Sequence, residues 1–293
     1  MQYTNPQIPE GINTSESHPL KEFFILTGGV IAIVVISFYL LIVTVDFFAD
    51  KIPFAWEQSI PLESLLESDT AEAPAYLERL TQQVAADMAL PQDMQVTLHY
   101  VNSDTVNAFA TLGGHMVLHR GLLEKLRSED ELVMVIAHEI AHLKYRHPIS
   151  AASHSLLAMM VLSLFTSSAD DILNRLMGTS GLLTLMKFSR DYEHRADAAA
   201  VDVLLGRYGH AQGAVGLFEV FKAERGGSEP LEFLNTHPLT ERRIQRALEL
   251  AEKQSGLPAE QSADKKMQPL PAEFTRWLAA QSASQALDKS TTP

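Results

Sequence analysis

The chain has 293 residues, enough for one good-sized domain with appendages. Its formal net charge of −13, with no basic cluster to offset it, argues against a nucleic-acid surface. It contains no cysteine, which excludes a disulfide framework and a thiolate metal site, so a metal ion could be held only by His, Asp or Glu.

In chain order, residues 1–22 are polar, with Pro6, Pro9 and Gly11, and read as a flexible tail. Residues 23–45 carry no charge; as a helix they reach roughly 34 Å, enough to cross a bilayer core of about 30 Å. The run is too long for a signal peptide and no small-residue cleavage site follows it, so it reads as a transmembrane anchor. Lys21 and Lys51 flank it almost symmetrically, and the positive-inside rule does not orient it. Residues 50–61 form a connector with Pro53 and Pro61, and residues 62–90 are expected to be helical with a break near Pro74. Val96, Leu98 and Tyr100 then alternate with polar residues, as in a half-buried strand. Residues 105–112 and 115–119 read as two further strands joined by Gly113-Gly114 as a two-residue hairpin turn, so a small antiparallel sheet is expected.

The next stretch is Ala137-His138-Glu139-Ile140-Ala141-His142. It carries H-E-x-x-H, a pattern that chance supplies to roughly one chain of this histidine content in fifty. Ser128 and Glu131 form a capping-box signature ahead of it, Leu132, Val133, Val135, Ile136, Ile140 and Leu143 make the helix widely apolar, and Pro148 ends it. A helix so apolar is buried. His138 and His142, four apart, stack on one face and can offer two imidazole nitrogens to one metal. Glu139 lies beside that line, where a carboxylate can take the proton of an activated water. The plainer alternative is a pair of hydrogen-bonded core histidines.

After Pro148, residues 156–165 and 172–188 form two apolar stretches, read as a helical hairpin on the core or at the membrane surface. Residues 189–205 are helical, carry Glu193 and Asp197 one turn apart, and are kept slim by Ala196, Ala198, Ala199 and Ala200. A catalytic zinc needs three protein ligands and an open position; Glu193 is the best candidate for the third, with Asp197 placed to accept a hydrogen bond from a ligand histidine. Asn235-Thr236-His237-Pro238 is a turn, residues 239–253 are helical, and residues 254–293 read as a linker followed by a short terminal helix or tail.

The two motifs together, H-E-I-A-H and then E-H-R-A-D, resemble the zinc endopeptidases related to HtpX and the CAAX prenyl endopeptidases, whose pattern is H-E-x-x-H followed by E-x-x-x-D. Asn107-Ala108-Phe109-Ala110 with Gly113-Gly114 resembles that family's edge strand, and His237-Pro238 with Arg243-Ile244 resembles its H-P-x-x-x-x-R-I element. The resemblance spans roughly residues 60–250. It implies an α+β, mainly α, zincin-like metallopeptidase domain (residues 62–253) with a small sheet, one Zn²⁺ per chain on His138, His142 and Glu193, and Glu139 as general base. HtpX-type members carry more membrane spans than the single one seen at residues 23–45.

The expected function is a zinc-dependent endopeptidase tethered to a lipid bilayer and acting on protein or peptide substrates, possible work in envelope protein quality control included. Asn107, Ala108 and Phe109 are the strand residues expected to pair with an extended substrate. His237 is a further catalytic candidate: Pro238 holds it in extended geometry, and it could donate to the oxyanion, which is the favoured role, fill the metal's fourth position at rest, or merely cap the next helix. His115, His119, His147 and His154 receive no role. The rival reading is a non-catalytic, membrane-tethered binding or chaperone-like module with a structural zinc; an intact Glu139 speaks against it. The working location is a bacterial inner membrane, single-pass, with the domain on the periplasmic side.

Overall fold

The computed structural model describes residues 18–49, 51–60, 70–163, 188–224, 232–238, 240–255 and 265–291. They fall into two units, Met1–Val45 and Asp46–Pro293. In the first, helix α1 (Pro19–Ala49, its last turn reaching into the second unit) covers the predicted span and extends beyond it at both ends. Its stretch Pro19–Val45 is 27 residues long, none of its most apolar window is buried, and by length and composition it is enough to cross a membrane.

The second unit begins with a short helix, α2 (Phe54–Gln58), inside what the sequence suggested was a plain connector. Then come β1 (Thr70–Ala71), α3 (Ala75–Asp87), β2 (Thr97–Val101), β3 (Ala108–Ala110) and β4 (His115–His119). Short helix α4 (Arg120–Lys125) leads into α5 (Glu129–Lys144), which carries H-E-x-x-H, and α6 (His147–Ser163) follows. The rest is helical: α7 (Arg190–Tyr208), α8 (Gln212–Glu224), α9 (Glu232–Thr236), α10 (Glu241–Ser255) and α11 (Ala272–Thr291). Most of the expected hairpin at residues 156–188 lies outside the described residues.

The sheet is mixed, in the order β1-β2-β4-β3, rather than purely antiparallel. β1 runs antiparallel to β2 and β3 antiparallel to β4, but β2 and β4 pair in parallel, from Thr97 opposite His115 to Val101 opposite His119. The expected two-residue turn is instead a 3₁₀ turn over Leu112–Gly114, closed by the Thr111 N–H on the His115 carbonyl at 2.8 Å. Gly114 has φ +86°, and a Cβ there would stand 2.1 Å from the Gln95 carbonyl oxygen, so glycine is required.

α5 is the axis of the domain. Every residue from Asp130 to Leu143 is buried. Ser128 caps it as expected, its Oγ accepting the Glu131 N–H at 3.2 Å, while the Glu131 carboxylate reaches back to the Arg127 N–H. α7, α8, α3 and β3 pack around α5, and α10 packs on α7 and α8. Ala196 and Ala200 are fully buried, and their small side chains let α7 approach α5 closely. At the carboxyl end, Gln268 accepts the Glu129 N–H at 2.8 Å, and Phe274 and Trp277 of α11 stack near Tyr76 and Tyr100. The segment expected to be a linker and a short terminal helix or tail does form a helix, α11, and residues 268–269 ahead of it pack on the start of α5.

α8 sits against the first turn of α5 through Gly213, where a Cβ would meet the Asp130 carbonyl oxygen at 2.3 Å. Backbone cannot yield as a side-chain tip can. Gly213→Ala is expected to cost about 1–3 kcal/mol as overpacking and to lower the thermal midpoint by several degrees, read by scanning calorimetry; an unchanged midpoint would show that α8 can slide without loss.

Candidate metal centre

His138 and His142 project from one face of α5, with Nε2 atoms 3.1 Å apart. The first turn of α7, opened by Ser189 as N-cap, brings Glu193 to within 3.5 Å of both nitrogens. His237, the residue after α9, places Nδ1 3.0 Å from Glu193 Oε1 and 3.3 Å from His138 Nε2. One ligand atom from each of these four lies within 4.8 Å of the other three, and all four side chains are buried. Glu139 has no exposed surface and stands 3.6 Å from His237 Nε2. Neither of its oxygens makes a well-formed hydrogen bond among the described residues, although the Ala110 backbone N–H favours its ionised form.

The rings are wedged in place. Phe188 stacks on His142 at 4.0 Å and Phe233 on His237 at 4.6 Å. Each α5 histidine also has a partner at its far nitrogen. His138 Nδ1 lies 3.1 Å from Asp197 Oδ1, the contact expected from the one-turn spacing of Glu193 and Asp197. His142 Nδ1 lies 3.0 Å from His147 Nδ1, and His147 stacks flat on Tyr192 at 4.2 Å. His147 had been given no role. Arg243 was not singled out either: it grips Asp197 with Nε and Nη2, both at 2.8 Å, and reaches Glu193 Oε2 with Nη1 at 2.7 Å. Its sequence signal was the R of the H-P-x-x-x-x-R-I element, and nothing in that spacing announced a pair with Asp197.

Charge balance tests whether this set suits a cation. Glu139, Glu193 and Asp197 are buried with Arg243. Three carboxylates against one guanidinium leave two negative charges, and buried charge must be neutralised. Burial raises the Glu139 carboxyl. Burial would raise Glu193 and Asp197 too, but His237, His138 and Arg243 hold Glu193 well below the ordinary range, and Arg243 and His138 outweigh burial at Asp197. Burial opposes a charge on His138, yet Asp197 and Glu193 push it up to about 10. Burial holds His142 well below its usual value, and takes His147, with help from Arg195, down to about 3. The excess charge that draws a proton to His138 equally draws a divalent metal, and a neutral His142 and His147 leave lone pairs to give. The residues fit zinc.

An H-E-x-x-H helix, a carboxylate from a second helix and a small sheet beside them define a zinc metallopeptidase domain of the zincin kind. Residues 71–251 match peptidase family M48, well over half of the chain, and the protein belongs to that family. It is 31% identical over 183 residues to the beta-barrel assembly-enhancing protease of Yersinia pestis, covering 57% of this chain and 36% of that protein. It is 31% identical over 179 residues to the Escherichia coli protein of the same name, covering 56% and 36%. It is 29% identical over 174 residues to the mitochondrial metalloendopeptidase OMA1 of Schizosaccharomyces pombe, covering 58% and 51%. The chain thus spans about a third to a half of the length of these relatives.

The His142–His147 contact has a measurable consequence. With Nε2 of His142 turned to the metal, its Nδ1 carries the proton and donates to His147 Nδ1. His147→Phe keeps the stack on Tyr192 and removes the acceptor. Zinc affinity, measured by chelator competition, is expected to fall about tenfold or more, with the fold kept; unaltered affinity would mean that His147 only packs.

Proposed function

We propose that this protein is a membrane-anchored zinc endopeptidase that cleaves protein substrates, with His138, His142 and Glu193 as zinc ligands and Glu139 as general base. The observation that carries this is Glu139: a fully buried carboxylate beside the ligand cluster, its oxygens without a well-formed partner among the described residues apart from the Ala110 backbone N–H, which a structural zinc site has no use for. Zinc supplies Lewis acidity, making water acidic enough to deprotonate near neutral pH and polarising a carbonyl. Glu139 takes the proton of the attacking water and passes it to the leaving amine nitrogen. Asp197 and His147 hold the ligand imidazoles in the required tautomer and direction, and Arg243 fixes Asp197 and Glu193 together.

β3 is an edge strand of the sheet among the described residues, beside α5. The bonds of Asn107 and Thr111 to His119 and His115 set its register, so Ala108 and Ala110, rather than Asn107 and Phe109, turn their backbone groups outward. An extended peptide can pair there with its carbonyl carried toward Glu139, a mode that reads backbone rather than sequence. In the present conformation α9 lies along that edge, with the Phe233 N–H on the Val106 carbonyl at 3.2 Å. His237 at its end completes the ligand cluster. Of the roles open to His237, this favours the fourth ligand of a resting state over the oxyanion donor. Substrate entry then requires α9 and His237 to withdraw.

The apolar, exposed Pro19–Val45 stretch supports the lipid bilayer as a partner. The names of the bacterial relatives concern β-barrel assembly, which supports a substrate in the bacterial envelope and a domain on the periplasmic side.

Glu139→Gln keeps the side chain's shape and removes the base. Zinc content and fold should be retained, with cleavage of unfolded β-casein down about 10²- to 10⁴-fold; wild-type turnover in this variant refutes the mechanism. His237→Ala separates the two roles of that residue. A resting ligand predicts weaker zinc retention with basal cleavage undiminished or raised, while an oxyanion donor predicts unchanged zinc and cleavage lowered about a hundredfold.

A further inference from the structure

Glu57 lies upstream of the family match, in the short helix α2 that follows the apolar α1. Its side chain is buried, at 4% exposure, an uncommon place for a glutamate in a connector. One carboxylate oxygen accepts the Gly113 N–H at 3.1 Å. The other pairs with Arg146 Nη2 at 2.5 Å. Gly113 lies in the turn at the end of β3, three residues beyond Ala110. Arg146 lies just past α5, four residues after His142 and directly before His147. One carboxylate therefore bridges the turn of the substrate edge and the exit of the zinc helix.

Both contacts sit where backbone has to be held. Gly113 and Arg146 have φ +75° and +59°, left-handed values that are uncommon for arginine. Arg146 is fixed further by the Ile52 carbonyl at 2.9 Å and by lying over the Phe54 ring at 5.5 Å. Ile52, Phe54 and Glu57 of the connector thus pack against Arg146, and Glu57 also against the Gly113 turn. No part of the chemistry already described uses Glu57.

Resting on the reading of β3 as substrate edge, we propose that Glu57 is a positioning residue of the peptidase: it holds the Gly113 turn, and with it Ala108 and Ala110, at the distance from α5 that an extended substrate needs. Its loss weakens the pairing of substrate with the edge while leaving zinc and Glu139 in place. The connector segment is by this account a working part of the site through one carboxylate.

The test uses the full chain in detergent micelles, with Glu57→Ala and the milder Glu57→Gln, which keeps an acceptor for the Gly113 N–H but loses the charge facing Arg146. Unfolded β-casein is the probe. Its binding is read by fluorescence anisotropy in the Glu139→Gln background, so that no turnover is needed, and its cleavage is read separately with Glu139 intact. Hydrogen–deuterium exchange reports on segments 111–115 and 146–150. The expected result is faster exchange confined to those segments and β-casein binding weakened about tenfold in Glu57→Ala and less in Glu57→Gln. KM should rise by a similar factor, with kcat and zinc content within twofold of wild type. Unchanged exchange, or faster exchange with unchanged casein binding, overturns the proposal, as does loss of zinc and kcat in step with thermal stability in both variants, the sign of a merely structural role. Wild-type protein that binds β-casein without cleaving it would count against the peptidase reading instead, and the binding ratio would still decide the role of Glu57.

Discussion

The constraint on which the structure depends is an excess of buried negative charge beside two imidazoles. Glu139, Glu193 and Asp197 sit in the core with Arg243, and none of them faces water. Carboxylates in that position are costly unless paired. The surrounding architecture answers this in layers. Arg243 neutralises one charge with a bidentate grip on Asp197 and a contact to Glu193. The imidazoles of His138, His142 and His237 converge on a point where a divalent cation meets what remains. Tight packing of α7 on α5, through buried Ala196 and Ala200, is what brings those groups within reach of each other.

How much of this could be read in the sequence follows from how local each signal is. His138, Glu139 and His142 share one helical turn, so spacing alone places them. Glu193 and Asp197 share another turn, and the alanines around them mark a helix that packs closely. His237 has no such periodicity; it was found through the resemblance, and only the folded chain puts its Nδ1 beside Glu193. Arg243 and His147 act on residues far away in sequence or around a corner. His147 reaches His142 because Arg146 takes a left-handed turn that brings the chain back, and that turn has no glycine to announce it. The sheet shows the same limit. Alternation identified the strands near Tyr100 and His115, but parallel pairing of β2 with β4 is a non-local choice that alternation cannot express. Burial of β3 on both faces also hid which of its residues turn outward.

The edge strand and α9 explain why the site is closed in this conformation. Ala108 and Ala110 point backbone groups away from β4, and an edge left bare invites uncontrolled pairing. α9 covers that edge from Val106 onward and carries His237 into the ligand cluster. A single short helix therefore lies along the edge proposed to bind substrate and is followed directly by His237 of the metal cluster. The helix is five residues long, and the Phe233–Val106 bond, ring stacking of Phe233 on Phe221 and His237, and burial of Phe233 in the core fix it there.

Where the family match ends matters as much as where it lies. Residues 71–251 hold the His138, His142, Glu193 and His237 cluster, Glu139 and the edge strand. The segments on either side of that match brace the two ends of α5. At its start, Gln268 pairs with Glu129 and the Ser128–Pro269 bridge seats the capping residue. At its exit, Glu57 and Ile52 hold Arg146. A helix carrying ligands one turn apart tolerates little axial shift, since a displacement of one residue, about 1.5 Å, would misplace both imidazoles relative to Glu193. Interdigitated packing along the buried length of α5 resists such sliding, since each side chain would have to leave its own niche. Directional hydrogen bonds and an ion pair at the two ends add to that resistance. The flanking segments therefore reinforce, at the two ends of the helix, the register that the core sets.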